Sequence, residues 1–199
     1  EEKEKVKIES LNSLKSSDNI SSNNLHYLNQ ALSLGGFNLE VQKGYKCNKP
    51  IIIYNYFTPD LDNKIINNSN KIKLHQNSEL TLIEYNITEK SKFIKNTFEE
   101  INLDKDSLLK SIIIQKTKSN GYFYKYISGT QSYNSSYQNF ILSSGLKFNK
   151  LDIDINLEKE NCNCYILSGL SLGKDEHQEI KTQINHLAPN CKSYQKIKN

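Results

Sequence analysis

The side chains that could do chemistry in this chain are few and scattered. Cys162 and Cys164 lie two apart in "NCNC" (161–164), and Cys191 closes "HLAPNC" (186–191), which begins with His186. Thiolate and imidazole are the ligands a zinc-like or softer transition metal prefers, so Cys162, Cys191 and His186 are the candidate metal ligands. An i,i+2 cysteine pair on a strand is a weak metal signal by itself. Small residues beside a tight corner explain the same positions without chemistry. Asp152 and Asp154 in "LDIDIN" form the other candidate set. Paired carboxylates can act as acid and base in glycoside hydrolysis. Equally, they are the solvent face of a strand whose other face is Leu151, Ile153 and Ile155, and that reading is preferred. His26, His75 and His177 are isolated from other ligand-type residues. "SLGKD" (171–175) lacks the glycine spacing and following helix of a phosphate loop.

Composition excludes more than it proposes. All 26 basic residues are lysine, and the net charge of +4 is spread without a block of like charge. Without arginine, bidentate phosphate clamps and base readout are missing, so nucleic acid is not expected as a partner. The longest apolar run, "IIIYNYF" (51–57), suits a strand and is too short to span a membrane. Four cysteines without paired zinc spacing fit a reducing compartment. The chain does not open on methionine, which suggests a piece of a longer protein.

The elements that would position these residues are mostly strands. Residues 1–22 are charged, then rich in Ser and Asn, and read as a mobile tail or linker. Residues 23–199 read as one helix followed by a β body. Leu25, Leu28 and Leu32 share a helical face, Asn24 can cap its start, and Gly35-Gly36 supplies a stop, giving a helix near 24–34. Beyond it the period drops to two: "FNLEV", "KIKL", "LTLIEY", "EEINL", "YFYKY", "KLDIDINL" and "EIKTQI" all alternate.

A repeat organises these strands. "NSELTLIE" (77–84), "DSLLKSII" (106–113), "NSSYQNFI" (134–141), "NCNCYILS" (161–168) and "NCKSYQKI" (190–197) begin 29, 28, 27 and 29 residues apart. Each opens on Asn or Asp, then Ser or Cys, then a strand. Upstream, Leu74, Leu103, Leu157 and Leu187 precede the Asn or Asp by three or four residues, while "YISGTQSYN" is the poorest match. Two strands per unit at this period predict a coil of a β-solenoid, whose inner face is buried only when neighbours stack. Asn or Asp suits a left-handed corner. Cys162 and Cys191 then occupy the column held earlier by Ser78, Ser107 and Ser135, and adjacent coils bring them together as free thiols.

Three stretches carry a family resemblance: "LNQALSLGGFNLEVQKGYKCNKPIIIYNYF", "NSELTLIEYNI" and "QEIKTQINHLAPNCKSYQKIKN". From about Asn24 onward the chain resembles the SufB/SufD family of iron–sulfur cluster assembly proteins, and more closely its SufD branch. The most specific part is the run through His186, Leu187, Pro189, Asn190, Cys191, Ser193, Gln195 and Lys198. Tyr194 stands where the family usually has arginine. The resemblance implies a right-handed parallel β-helix and no catalytic centre. It also implies SufB-like and SufC-like (ABC-type ATPase) partners, and an iron–sulfur cluster assembled by the parent complex and not held by this stretch. The family's ATPase-binding helices and interface Cys/His segment lie C-terminal to the matched region, so those residues cannot be assigned here.

The expectation is therefore an all-β, right-handed parallel β-helix with coils of about 28 residues, preceded by one short α-helix and cut off at its C-terminal end. Functionally it is a non-enzymatic scaffold subunit, cytoplasmic or in a plastid-type organelle, bound to neither nucleic acid nor membrane. A carbohydrate-active β-helix enzyme and a purely structural or adhesin solenoid are the alternatives.

Overall fold

Five residues spaced along the chain turn their backbones into the left-handed region: Asn77, Asp106, Asn134, Asn161 and Asn190, with φ between 54° and 62°. They are the five corners expected from the repeat. Asn and Asp tolerate this geometry better than other side chains bearing a Cβ. In the computed structural model, which describes residues 2–11, 24–88, 92–116 and 119–199, they stack. The amide of Asn77 donates to Lys105 O, that of Asp106 to Tyr133 O, and that of Asn134 to Glu160 O, at 2.9–3.0 Å. A sixth corner precedes them. Gly44 (φ 75°) donates to Gln76 O in the same manner, and sequence reading missed it because glycine replaces Asn and the first spacing is longer.

The elements run α1 (Glu2–Lys5), β1 (Val6–Ser10), α2 (Asn24–Leu32), β2 (Phe37–Val41), β3 (Ile51–Phe57), β4 (Ile65–Leu74), β5 (Glu79–Thr88), β6 (Ile94–Leu103), β7 (Leu108–Gln115), β8 (Ser119–Gln131), β9 (Ser136–Ser144), β10 (Leu146–Leu157), β11 (Asn163–Ser171), β12 (His177–His186) and β13 (Lys192–Lys198), with a 3₁₀ turn at Pro59–Leu61. They form two sheets. One has the order β1-β2-β4-β6-β8-β10-β12, the other β13-β11-β9-β7-β5-β3. Every pairing is parallel except β1 with β2. The chain therefore alternates between two facing sheets and climbs one strand in each per coil. It is a parallel β-helix, as expected.

Side chains alternate in and out along each strand, so register converts into inward columns. Leu39, Ile72, Ile101, Gly129, Ile155 and Ile184 form one, and Val41, Leu74, Leu103, Gln131, Leu157 and His186 another. Opposite them stand Leu80, Leu109, Tyr137 and Cys164. These columns make the main apolar core; a smaller aromatic cluster of Phe57, Phe93 and Phe123 with Leu146 closes the other end of the cross-section.

Three expectations are corrected. Leu187 is 63% exposed and is not the repeat leucine; His186 takes that place, and the motif match was one residue out of frame. Residues 2–10, read as tail, form α1 and then β1, which lies on the edge of the first sheet; for residues 1 and 12–22 that expectation lies outside the described residues. The helix docks by a different face. α2 buries His26 and Asn29, while Leu25, Leu28 and Leu32 stay exposed. Docking is governed by polar groups of β4 and β6, not by leucine burial: Asn29 Nδ2 donates to Asn68 O at 2.9 Å and Asn96 O at 2.8 Å, and Asn96 Nδ2 donates to Leu25 O. The His26 ring packs tilted against Phe98, 4.2 Å between centroids, and edge-on to Tyr126 at 5.4 Å. After the helix, Gly36 passes so close to β4 that a Cβ would lie 1.7 Å from Ser69 O.

Candidate functional site

Inside the solenoid, away from the corner core, the inward columns change character. Glu84 follows Leu80 and Leu82 on β5, Lys95 and Glu99 share the inner face of β6, and Lys125 precedes Ile127 on β8; all four are buried or nearly so. Lys125 Nζ donates to Glu84 Oε2 at 2.6 Å and pairs with Glu99 Oε2 at 2.9 Å. Lys95 Nζ reaches Glu84 Oε1 at 3.3 Å and Asn86 Oδ1 at 3.0 Å. Asn55 Nδ2 donates to both of those acceptors. Lys95 also lies 5.1 Å above the Phe57 ring and 5.4 Å above Phe123, so its charge is further stabilised by the ring faces.

Burial alone would raise Glu84's pKa, but Lys125 and Lys95 outweigh it and hold the carboxylate down at about 2. Burial likewise opposes the charge on Lys125, yet Glu84 and Glu99 raise its pKa above the ordinary lysine value. For Lys95 burial wins, and its pKa falls. A cavity of ≈ 40 Å³ adjoins the network, with Thr97, Gln115, Ser143 and Asn149 in its wall. That is polar space for a few waters. The polar lining continues along the axis, where Asn149 Nδ2 donates to Ser143 Oγ and Gln178 Oε1, each at 3.0 Å. Sequence reasoning missed this network. Its signal was legible: Glu84, Glu99 and Lys125 occupy inward positions of strands that alternate correctly on either side of them.

The thiols sit where the repeat puts them. Backbone pairing of Asn163 with Lys192 places Cys162 beside Cys191 on the next coil. Cys162 Sγ donates to Lys159 O at 3.0 Å and Ser132 O at 3.1 Å, and Cys191 Sγ also reaches Lys159 O, at 3.2 Å. Ser78, Ser107 and Ser135 make the equivalent bond to the carbonyl three residues back. All four cysteines are free thiols. Burial raises the pKa of Cys162 and pushes Cys164 up to about 12, the opposite of activation. His186 faces Ser193 Oγ at 3.0 Å instead of a thiol. Among the described residues no group of three or more His, Cys, Asp or Glu side chains could hold a metal ion.

The remaining candidates are engaged structurally. Tyr124 Oη donates to Asp152 Oδ2 at 3.0 Å, and Asn185 Nδ2 donates to Asp154 Oδ1 at 3.1 Å; burial raises the pKa of Asp154. The two carboxylates bond along the stack to neighbouring coils and do not converge on a cleft. His75 lies between Asp104 and Glu40, and His177 stacks on Phe148 at 5.0 Å with the rings 6° from parallel. No helix among the described residues is long and apolar enough to cross a membrane.

Compared with protein families, residues 57–199 match the model described as SUF system FeS cluster assembly, SufBD core domain. No individual curated protein matches the chain significantly. The matched segment begins at the end of β3 and takes in every later coil, including the charged interior and the thiol corner.

Proposed function

Because this chain belongs to the SufBD core family of the SUF iron–sulfur cluster assembly system, we propose that it is a non-catalytic scaffold subunit of the SufD type. It acts with a SufB-like subunit and a SufC-like ABC-type ATPase, in the cytoplasm or a plastid-type organelle. The cluster is the cargo of that complex and is not a resident group of this chain. The family match over the β-helix carries the reading. Supporting it, Glu84, Glu99, Lys125, Asp152 and Asp154 are tied into coil-to-coil contacts instead of converging on a substrate cleft, and the thiols at the corner bond backbone carbonyls and are buried or half-buried. A carbohydrate-active reading has no support in the geometry of Asp152 and Asp154.

The test is affinity co-purification from cells expressing the tagged gene product, which is expected to retain SufB-like and SufC-like partners. Recovery of neither partner overturns the scaffold reading.

A further inference from the structure

The outer faces of the two sheets differ in kind. On the first sheet, lysines meet acids from coil to coil: Lys71 with Glu100, Lys73 with Asp104, and Lys150 with Glu179. The outer face of the second sheet carries two apolar rows instead. One outward row runs Ile52, Ile83, Ile112, Phe140 and Leu167, and the next runs Tyr54, Tyr85, Ile114 and Leu142. Tyr54 is 64% exposed, Leu142 41% and Phe140 39%. Between the Ile112–Phe140–Leu167 row and a third row, Lys110–Gln138–Tyr165–Tyr194, runs a groove of ≈ 550 Å³ that crosses four strands. A contiguous apolar face of this kind marks an interaction surface.

The charge around the groove selects the partner. Strands β7, β9, β11 and β13 contain no Asp or Glu. Their outward lysines, Lys110 at one end and Lys192, Lys196 and Lys198 at the other, have no ion-pair partner among the described residues. We propose that this groove docks an acidic amphipathic helix of a partner protein, its apolar stripe on Ile112, Phe140 and Leu167 and its carboxylates on the flanking lysines. The dimensions agree. Rows cross the strands at about 4.8 Å per strand, close to the roughly 5.4 Å pitch of a helix lying along them. Single-stranded nucleic acid would also use lysines and aromatic rings. The groove's lysines, however, stand only at its two ends, since β9 and β11 carry none, whereas a bound strand needs cations along its length to track the phosphates. This inference is independent of the scaffold assignment.

The experiment uses fluorescence anisotropy with two labelled synthetic helices of about 18 residues, enough for roughly five turns. They share one Leu/Phe stripe, one flanked by Glu and the other by Lys. The acidic helix is expected to bind the chain at least about tenfold tighter than the basic one, the preference fading with salt. Phe140→Glu with Leu167→Glu abolishes binding, while Lys192→Glu with Lys196→Glu reverses the preference; circular dichroism confirms that both variants keep their strand signal. Equal binding of the two helices, or none, overturns the proposal. So does displacement of the acidic helix by oligo-dT. Sedimentation showing a dimer that Phe140→Glu dissolves overturns it in favour of a second copy as occupant.

Discussion

At the scale of single residues, the most consequential feature is that Lys125 pairs with two buried carboxylates at once. Replacing it with methionine keeps the volume but leaves Glu84 and Glu99 without their shared cation. Breaking a buried pair from one side costs about 3–5 kcal/mol, and urea denaturation of Lys125→Met is expected to show a loss in that range. The same network sets the acid limit. Glu84's pKa is depressed in the fold, so its contribution is complete above the unfolded carboxylate value of about 4.3 and disappears as pH falls toward about 2. A pH titration of the wild-type unfolding midpoint should decline across that window. Cys191→Ser is the contrasting case. It installs the residue used by the first three Asn/Asp-led corners, half-buried and next to the same carbonyl. It is expected to cost under about 1.5 kcal/mol. Loss of cluster assembly in cells at unchanged stability would instead make Cys191 a ligand or transfer site.

Single elements depend on local geometry that side-chain hydrophobicity does not describe. The coil corner at Asn134 (φ 54°) also holds Asp106 of the coil below through a 2.8 Å side-chain bond. Asn134→Ala keeps a Cβ in the left-handed region and should destabilise by about 1–2 kcal/mol, whereas Asn134→Gly, free of that strain, should cost distinctly less. Thermal melts of the two variants give the order directly. Helix α2 adds a pH dependence of the opposite origin. Burial lowers the pKa of His26, with Nδ1 unpartnered against Phe98 and Tyr126. The neutral ring is the docked form, so docking is complete above the unfolded value of about 6.5 and weakens as pH falls below it. Amide exchange within residues 24–32 should accelerate below that pH in wild type, and His26→Phe should remove the dependence.

Across the whole molecule, each coil contacts only its neighbours, so stability is distributed as a sum of coil and interface contributions. The inner coils, β6 through β10, are hydrogen-bonded on both sides, while β13 is paired only with β11. Hydrogen exchange is therefore expected to be slowest in β6–β10 and fastest in β13, with a gradient in place of one global rate. Uniform protection to the final strand would show that the end coil gains stability from a contact outside the solenoid ladder.

What the sequence determined by itself was the repeat. The spacing of Asn77, Asp106, Asn134, Asn161 and Asn190 fixed the corners, because few residues other than Asn, Asp and Gly accept that backbone, and period-two alternation fixed the strands. The place of Cys162 beside Cys191 followed from register alone. Tertiary structure decided which faces matter. Glu84, Glu99 and Lys125 stand at inward positions of the strand alternation, but their pairing is decided only when coils from different parts of the chain bring both carboxylates within 3 Å of Lys125. Leu25, Leu28 and Leu32 look like a core stripe until the helix meets strand carbonyls that Asn29 fits and aromatic rings that His26 fits. Leu187 looks like a repeat leucine until the register puts His186 there. Local pattern specifies conformation. The partner across a contact is supplied by residues tens of positions away, and the identity of that partner decides whether a side chain is core, charge pair or open surface.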